Sequence, residues 1–384
     1  MAEVLRRLLV AGVTARPLAA SAARAGWRVT AVDAFGDLDL RACARVIALR
    51  REDGGFDPAT AAAAGKRVSA AYAAYTSNFE NHPSSVAALA AGRRLLGNRP
   101  SVLRRVREPV ELMRALRRRG FETPVTRAVA PRLPDAEARR WLLKPRRSGG
   151  GHGTSAWRAG RPVGRHQYLQ ERLQGTPGSI VFLADGKHAL VLGLSRQLVG
   201  DRAFGAGGFR YCGSLVGEGL FEHEASLLGR ARALAEVVAG EFGLVGLNGI
   251  DFIARAGVPW PIEVNPRWSA SMELLEGHGD TPLFALHVEA CLGRLPSAAR
   301  SRIHGTVGKA VVFARRDLTL GATRPWLRDS SVADVPHRGE RVPRGRPICT
   351  VFASARSRAA CVRALAARAA AIYRVAESET RGAA

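Results

Sequence analysis

The sequence predicts a mixed fold that is α/β at first and α+β afterwards: an open parallel sheet, then hairpin-rich units, then a small β-rich unit with a terminal helix. Three observations lead to this fold class. Strand and helix signals alternate up to about residue 98, as in parallel sheets whose strands are joined by helices. Strand-like runs separated by short turns then predominate. Beyond residue 301, further strand-like runs precede an Ala- and Arg-rich helix over 357–375.

The first region alternates strand, helix and strand. Pro17 suits the first turn of a helix and Gly26 its end, so residues 27–33 are expected to form the second strand. The further predicted elements are a strand over 45–49, a helix over 59–64 and a strand over 72–79. The strand ends of such a sheet can contribute substrate contacts. The polar candidates there are Thr14, Asn78, Glu80 and Asn81, although ordinary loop polarity explains them equally well.

A glycine-rich loop follows a short apolar strand at residues 141–143. Four glycines lie within five positions, so the backbone can approach a bulky anion and offer its N–H groups to it. Lys144 directly precedes the loop and is expected to point at nucleotide phosphates. The spacing matches neither a P-loop nor a dinucleotide turn, and favours a β-hairpin lid; a flexible linker is the alternative. The candidate contacts are Lys144, Ser148, Gly149, Gly150, Gly151 and His152.

An alternating apolar segment, residues 167–173, carries Gln170 and Glu171. Such a segment can present backbone groups to the edge of an adenine. Glu171 could then hold the ribose hydroxyls or the adenine amino group. A plain edge strand with exposed Gln and Glu explains the same pattern equally well.

The most informative residues are Glu263-Val264-Asn265-Pro266-Arg267, which follow a predicted strand over 249–253 and a turn. Strand side chains alternate between faces, so Glu263 and Asn265 point the same way, and Asp251 of the same hairpin can join them. Two carboxylates and an amide oxygen suit Mg²⁺ that carries the phosphates of a nucleotide. Arg267 adds a planar cation for phosphate or carboxylate oxygens. The alternative is a polar hairpin edge with solvated charges.

Taken in order, these parts resemble the ATP-grasp superfamily of carboxylate–amine ligases and related carboligases, over roughly residues 100–295. The resemblance implies ATP and Mg²⁺ (or Mn²⁺) as cofactors. It implies that Lys144 binds phosphates and that the metal ligands are Asp251, Glu263 and Asn265. The implied catalytic residues are Arg267, at the transferred phosphate, and Arg210, at the γ-phosphate; for Arg210 a surface arginine is the alternative.

Two features depart from the family pattern. Many members carry an earlier nucleotide-binding lysine, where this chain has only Arg104, Arg105 and Arg107. Many also carry an acidic residue just after the hinge glycine, where this chain continues from Gly175 with Thr-Pro-Gly-Ser.

The resemblance also divides the chain. Residues 1–98 are expected to form a Rossmann-like domain that precedes the nucleotide fold. Residues 99–300 are the ATP-grasp domain, with a lid-bearing subdomain at about 124–170 and a metal-bearing subdomain at about 171–300. Residues 301–384 resemble the small C-terminal domain of biotin-carboxylase-like proteins.

The implied activity is an ADP-forming ligase that activates a carboxylate as an acyl phosphate and transfers it to an amine. The resemblance suggests the biosynthesis of a small-molecule cofactor as one setting for this activity. Ser269, Ser271 and Glu273 could form the wall of the acceptor site. One alternative is an ATP-dependent carboxylase that uses bicarbonate. Another, of a different class, is a nucleotide-binding or basic RNA-binding protein without turnover.

Composition limits the partners. The 384 residues are 47% hydrophobic and 24% charged, which is typical of globular proteins with two or three cores. The net charge of +25 invites nucleic-acid binding, but the arginines are spread along the chain and aromatic residues are only 6%. Small-molecule acids and amines are therefore expected as partners in preference to nucleic acid, and a homodimer is one expected assembly.

No apolar run is long enough to cross a bilayer. The start of the chain resembles a signal peptide but continues as strand, turn, helix and strand. The five cysteines are odd in number and lack metal-type spacing, so they are expected to be reduced. These features predict a cytoplasmic protein.

Overall fold

The computed structural model describes residues 6–49, 55–131, 135–276, 278, 281–298 and 303–381. Its first sheet is parallel, with strand order β3-β2-β1-β4-β5. The central strand β1 is buried on both faces, as its continuous apolar run requires. The elements are β1 (Arg7–Gly12), α1 (Arg16–Arg24), β2 (Arg28–Asp33), α2 (Leu38–Cys43), β3 (Arg45–Ala48), α3 (Pro58–Gly65), β4 (Tyr72–Tyr75), a 3-10 turn (Phe79–Asn81), α4 (Pro83–Ala90) and β5 (Arg94–Leu95).

One boundary in this sheet differs from the prediction. The strand predicted over 72–79 ends at Tyr75, because the Phe79 amide donates back to the Thr76 carbonyl at 3.2 Å and turns the chain. The turn lies at the carboxyl end of β4, beside β1. Since the chain order reverses between these two strands, this edge is where open α/β sheets bind ligands. Glu80 and Asn81 therefore sit at the ligand-binding edge.

A smaller antiparallel sheet follows, with strand order β6-β9-β7-β8. The hairpin of β7 and β8 carries the glycine-rich loop at its tip, as predicted. The sheet packs around Trp141, Leu143, Trp157 and Leu169. The elements are α5 (Pro100–Val106), α6 (Pro109–Arg118), β6 (Thr126–Arg127), α7 (Asp135–Ala138), β7 (Trp141–Pro145), β8 (Ser155–Ala156) and β9 (Gln167–Glu171).

The largest sheet has eight antiparallel strands in the order β14-β13-β10-β11-β12-β15-β19-β17. Helices α8 and α11 pack on one face, while α1 and α10 contribute to the core on the other. The elements are β10 (Thr176–Asp185), β11 (Ala189–Val199), a 3-10 turn (Arg202–Phe204), β12 (Tyr211–Gly217), α8 (Glu224–Phe242), β13 (Val245–Arg255), β14 (Val258–Asn265), α9 (Met272–Glu276), α10 (Leu283–Cys291), β15 (Thr306–Phe313), β16 (Leu318–Thr319), a 3-10 turn (Arg324–Arg328), β17 (Val332–Ala333), β18 (Arg341–Val342), β19 (Pro347–Ala355) and α11 (Arg358–Arg381).

This sheet continues past the boundary predicted at residue 301. Strand β15 pairs with β12 from Gly213–Ala310 to Gly217–Thr306, and β19 pairs with β15 in turn. The last part of the chain therefore extends the sheet that carries β13 and β14, and adds the two-stranded sheet β16-β18. The terminal helix runs to Arg381, beyond its predicted end.

The predicted fold class is confirmed: a parallel sheet comes first and antiparallel sheets follow. Across the described residues, none of the helices combines the length and apolar character needed to span a membrane.

Candidate active site

A cavity of about 370 Å³ lies between the small antiparallel sheet and the β10, β13 and β14 end of the large one. This volume is within the usual range for small-molecule sites. The predicted site residues that line it are Lys144, Ser148, Gly149, Gly150, Gly151, Gln170, Glu171, Asp251, Glu263, Asn265 and Arg267. His152 and Arg210 are not among the described residues that line it.

The floor of the cavity carries a pair of carboxylates. Asp251 and Glu263 lie directly opposite each other in the β13–β14 ladder, so their side chains share one face. Asn265 donates from Nδ2 to Asp251 Oδ2 at 3.0 Å. The structure thus brings together the three side chains predicted to bind a metal. Among the described residues, no cluster of three or more His, Cys, Asp or Glu side chains could hold a metal ion. The present trio contains only two such residues, because its third member, Asn265, carries an amide.

These two carboxylates differ in protonation. Burial, together with the charge of Glu263, raises the pKa of Asp251 to about 7. Burial also acts to raise the pKa of Glu263, but the cations of Arg107 and Lys144 outweigh it and the pKa is lowered. Ionisation of Asp251 beside the charged Glu263 is therefore disfavoured, and a divalent cation bound to the pair would offset that cost.

We expect Mg²⁺ binding to strengthen as the pH rises through 7. A proton on Asp251 must leave before its oxygens can bind a metal, so the ionised fraction limits the affinity below the pKa of about 7. Between pH 6 and pH 8 the affinity should rise about tenfold. Calorimetric titration with Mg²⁺ at several pH values measures this. A pH-independent affinity would exclude Asp251 as a ligand that titrates in this range.

Lys144 extends from the end of β7 toward the carboxylates. Its ammonium donates to Gln170 Oε1 at 3.0 Å and lies 5.7 Å from the ring centre of Tyr168. Burial acts to lower the pKa of Lys144, but Tyr168 and Glu263 outweigh it and the pKa is raised. The ammonium therefore stays charged at the centre of the cavity.

The Gln-Glu segment closes the other end of the cavity. Gln170 is buried and donates from Nε2 to the Ile262 carbonyl at 3.2 Å, which links the small sheet to β14. Glu171 accepts from the Val125 amide at 3.2 Å. Leu142 and Ile253 add apolar surface to the lining. This end has the mixed polar and apolar character that suits a flat heterocycle.

The glycine-rich loop covers the cavity. The Gly150 carbonyl accepts from the Tyr211 amide at 3.0 Å, and the Arg107 guanidinium donates to the Ser148 carbonyl at 3.1 Å. At Gly151 φ is +75°, and a Cβ there would lie 1.9 Å from the Phe209 carbonyl oxygen. The closed loop therefore requires glycine at residue 151.

Substituting Gly151 with alanine should stop the loop from closing, while Gly149→Ala should change little. Around Gly149 there is open space for a Cβ, and its φ is not positive. If closure of this loop aligns the phosphates, Gly151→Ala lowers kcat/KM for ATP by at least about tenfold. Steady-state ADP release by both variants measures the difference. Equal activities would show that the loop does not need this closed geometry.

Arg107 is a site residue that the sequence did not single out from its neighbours. Its guanidinium donates from Nη1 to the Val264 carbonyl at 2.9 Å and lies 3.5 Å from Glu263 Oε2. Arg104 and Arg105 are exposed. The sequence did contain a signal that distinguishes Arg107 from its neighbours. Leu103, Val106 and Arg107 share one face at helical spacing, and the first two are apolar, so this face is expected to be buried.

The two predicted catalytic arginines lie in different places. Arg267 lines the cavity and contacts Asn265 Oδ1 at 3.2 Å. Arg210 donates to the Gly345 carbonyl at 2.7 Å and lies 4.8 Å from the ring centre of Phe313. Its placement does not support the contact predicted with a γ-phosphate. The physical reason is that the last part of the chain supplies the partners of this guanidinium, the Gly345 carbonyl and the Phe313 ring, which hold it there.

Hydroxyl groups line the inner end of the cavity. Ser269 and Ser271 lie there, with their Oγ atoms 3.4 Å apart, and Tyr211 contacts Ser214 at 2.8 Å. Gln197 reaches Asp251 Oδ1 at 2.9 Å. The sequence did not indicate Gln197, Tyr211 or Ser214, which come from strands whose order in the sheet could not be read from the chain.

Glu273, the third predicted wall residue, is not among the described residues that line the cavity. It bridges Arg16 and Lys309 at 2.5 Å each. Burial acts to raise the pKa of Glu273, but these two cations lower it to about 2. Its contacts join the first sheet to the largest one.

Comparison with known proteins finds a family model that matches part of the chain and solved structures that share its fold. Residues 107–271 match the family model of the ATP-grasp domain. The fold resembles biotin carboxylase from Campylobacter jejuni, with 14% identity over 94% of this chain and 90% of that one and a TM-score of 0.70. It also resembles N5-carboxyaminoimidazole ribonucleotide synthetase from Thermus thermophilus, with 18% identity over 96% and 98% of the two chains and a TM-score of 0.65.

A larger protein with a similar fold is pyruvate carboxylase from Rhizobium etli, at 14% identity and a TM-score of 0.71. The comparison covers 94% of this chain but 37% of that enzyme, so this chain spans about a third of its length. No curated protein sequence matched. The ATP-grasp domain recognised in the sequence is thereby confirmed, with a fold shared with these structures.

Proposed function

Because residues 107–271 form an ATP-grasp domain, we propose that the protein is an ATP- and Mg²⁺-dependent ligase that joins a carboxylate to an amine. The observation that carries the proposal is the convergence of Lys144, Asp251 and Glu263 in one cavity beneath the glycine loop. A buried ammonium and a carboxylate pair together supply both charges that a metal-bound triphosphate needs.

In the first step the substrate carboxylate attacks the γ-phosphorus, the bond to the ADP oxygen breaks, and an acyl phosphate forms. Lys144 and the backbone N–H groups of Gly149–Gly151 hold the phosphates, and Arg267 orients the transferred group. Asp251, Glu263 and Asn265 would hold Mg²⁺, which neutralises phosphate charge when bound. The protein forms no covalent bond with the substrate.

In the second step the amine attacks the acyl carbon, and phosphate leaves as the C–N bond forms. The hydroxyls of Ser269 and Ser271 surround the acceptor end. Among the described lining residues the only carboxylates are Glu171, Asp251 and Glu263, and no histidine lines the cavity. An amine that enters in its neutral form can pass its proton to the departing phosphate.

A second candidate is an ATP-dependent carboxylase in which bicarbonate takes the place of the carboxylate. The likeness to a biotin carboxylase favours it. The acceptor end is lined by small hydroxyl side chains, which also suit a small anion held beside Arg267.

Phosphate release from MgATP in the presence of paired acids and amines tests the ligase. We expect release to depend on both partners and an amide to accumulate in proportion. Release that depends on bicarbonate without an added acid would favour the carboxylase. A protein that binds MgATP but releases no phosphate with any partner would contradict both candidates.

A further inference from the structure

The 3-10 turn Phe79–Asn81 of the first sheet reaches into the candidate site. Glu80 is 1% exposed and contacts Arg267 Nη2 through Oε1 at 2.8 Å. Asn81 Oδ1 accepts from Arg107 at 2.9 Å and 3.1 Å. Two adjacent residues outside the ATP-grasp domain thus each hold a guanidinium: that of Arg267, which lines the cavity, and that of Arg107, which lies beside Glu263.

The pair of Glu80 and Arg267 is buried, which needs an explanation. Removing two charges from water is costly, and a buried ion pair often contributes little net stability. Each partner also keeps an unused polar atom: Arg267 Nε and Glu80 Oε2 have no hydrogen-bond partner among the described residues. Stability alone therefore gives no reason to retain this pair.

The contacts of Arg267 leave one nitrogen of its guanidinium group, Nε, without a partner among the described residues. Nη1 donates to the Trp268 carbonyl at 2.9 Å, and Nη2 donates to Glu80 and Asn265. Nε is buried and unpaired, although the residue lines the cavity. A buried N–H without a partner can still donate a hydrogen bond to an anion. The Glu80 contact fixes the plane in which that donor lies.

We propose that Glu80 is a positioning residue, which holds the Arg267 guanidinium in the orientation that meets the transferred phosphoryl group. This inference rests on the proposed ATP-dependent function. Glu80 does not itself touch the reacting atoms; it acts through Arg267. The effect of Glu80 is expected in the transition state, when charge develops at the γ-phosphoryl group. A small misplacement of a catalytic group reduces the stabilisation of that state more than it reduces nucleotide binding.

The test compares binding of MgADP alone with binding of MgADP plus fluoroaluminate, which mimics a phosphoryl group in transfer. For Glu80→Gln we expect an unchanged affinity for MgADP. The tightening produced by fluoroaluminate should fall at least about tenfold. In turnover, kcat should fall by a similar factor while KM for ATP changes little.

Glu276→Gln is the matched control. Glu276 also pairs with an arginine, Arg24 of helix α1, at 2.7 Å, and is not among the described lining residues. This variant should bind both probes as the unmodified protein does. Glu80→Asp keeps the charge but shortens the side chain by one methylene, so it should show an intermediate loss of the affinity gained with fluoroaluminate. This variant replaces Glu80→Gln if Glu80→Gln does not fold.

The outcomes distinguish a failure of the proposed function from a failure of the positioning role alone. If the unmodified protein gains no affinity from fluoroaluminate and releases no ADP, the proposed function fails and this inference falls with it. If the unmodified protein does both, and the Glu80 variants match it, the positioning role alone is overturned. A loss of MgADP affinity equal to the loss of fluoroaluminate affinity would also overturn it, because it would indicate a structural role.

Discussion

Glu263→Ala is expected to abolish ATP turnover while leaving the fold intact. The substitution removes one of the two carboxylates that face each other across the β13–β14 ladder. Without it the cavity keeps the cations of Arg107 and Lys144 but loses the charge that attracts a divalent metal. The rate of ADP release should fall by at least about a thousandfold, as it does when a main electrostatic contact of a transition state is lost.

The effect on Asp251 offers an independent readout. The charge of Glu263 contributes to raising the pKa of Asp251, so its removal should lower that pKa. Glu241→Ala is the control, because Glu241 pairs with Arg119 at 2.9 Å and is not among the described lining residues. Unchanged turnover in Glu263→Ala would remove this residue from the metal role.

Lys144→Met should have the second largest effect. Methionine keeps the apolar stem against Tyr168 but removes the ammonium that faces Gln170 and the carboxylates. We expect the affinity for MgADP and kcat/KM for ATP to fall by about a hundredfold, because a fixed positive charge in a cavity is worth several kcal/mol to a phosphate.

The control for Lys144 is another of the four lysines. Lys187 is exposed at a turn between β10 and β11, so Lys187→Met removes the same charge without touching the cavity. Calorimetric titration with MgADP distinguishes the two variants. Equal affinity in both would show that the ammonium at residue 144 does not contact the nucleotide.

The strand pair at the site could be predicted because it depends on local rules. Asp251 and Glu263 are separated by one hairpin, and alternation along two strands is enough to place them on one face. Lys144 was found in the same way, from a strand that ends at a glycine loop. These residues needed no knowledge of how the sheets pack.

The remaining site residues depend on packing between distant segments. Glu80 reaches Arg267 across 187 positions, and nothing in the local pattern indicates that contact. Arg210 is likewise held by a distant segment, since its guanidinium donates to the Gly345 carbonyl. Register within a hairpin is local information, whereas contacts between distant segments depend on how the whole chain packs.

The most direct test is to locate the divalent ion. Crystals grown with Mn²⁺ and a non-hydrolysable ATP analogue allow the metal to be placed by anomalous scattering. We predict one peak about 2 to 2.5 Å from the oxygens of Asp251 and Glu263, between them and the β- and γ-phosphates. A nucleotide bound in the cavity with its metal elsewhere, or with the Lys144 ammonium turned away from the phosphates, would contradict the account.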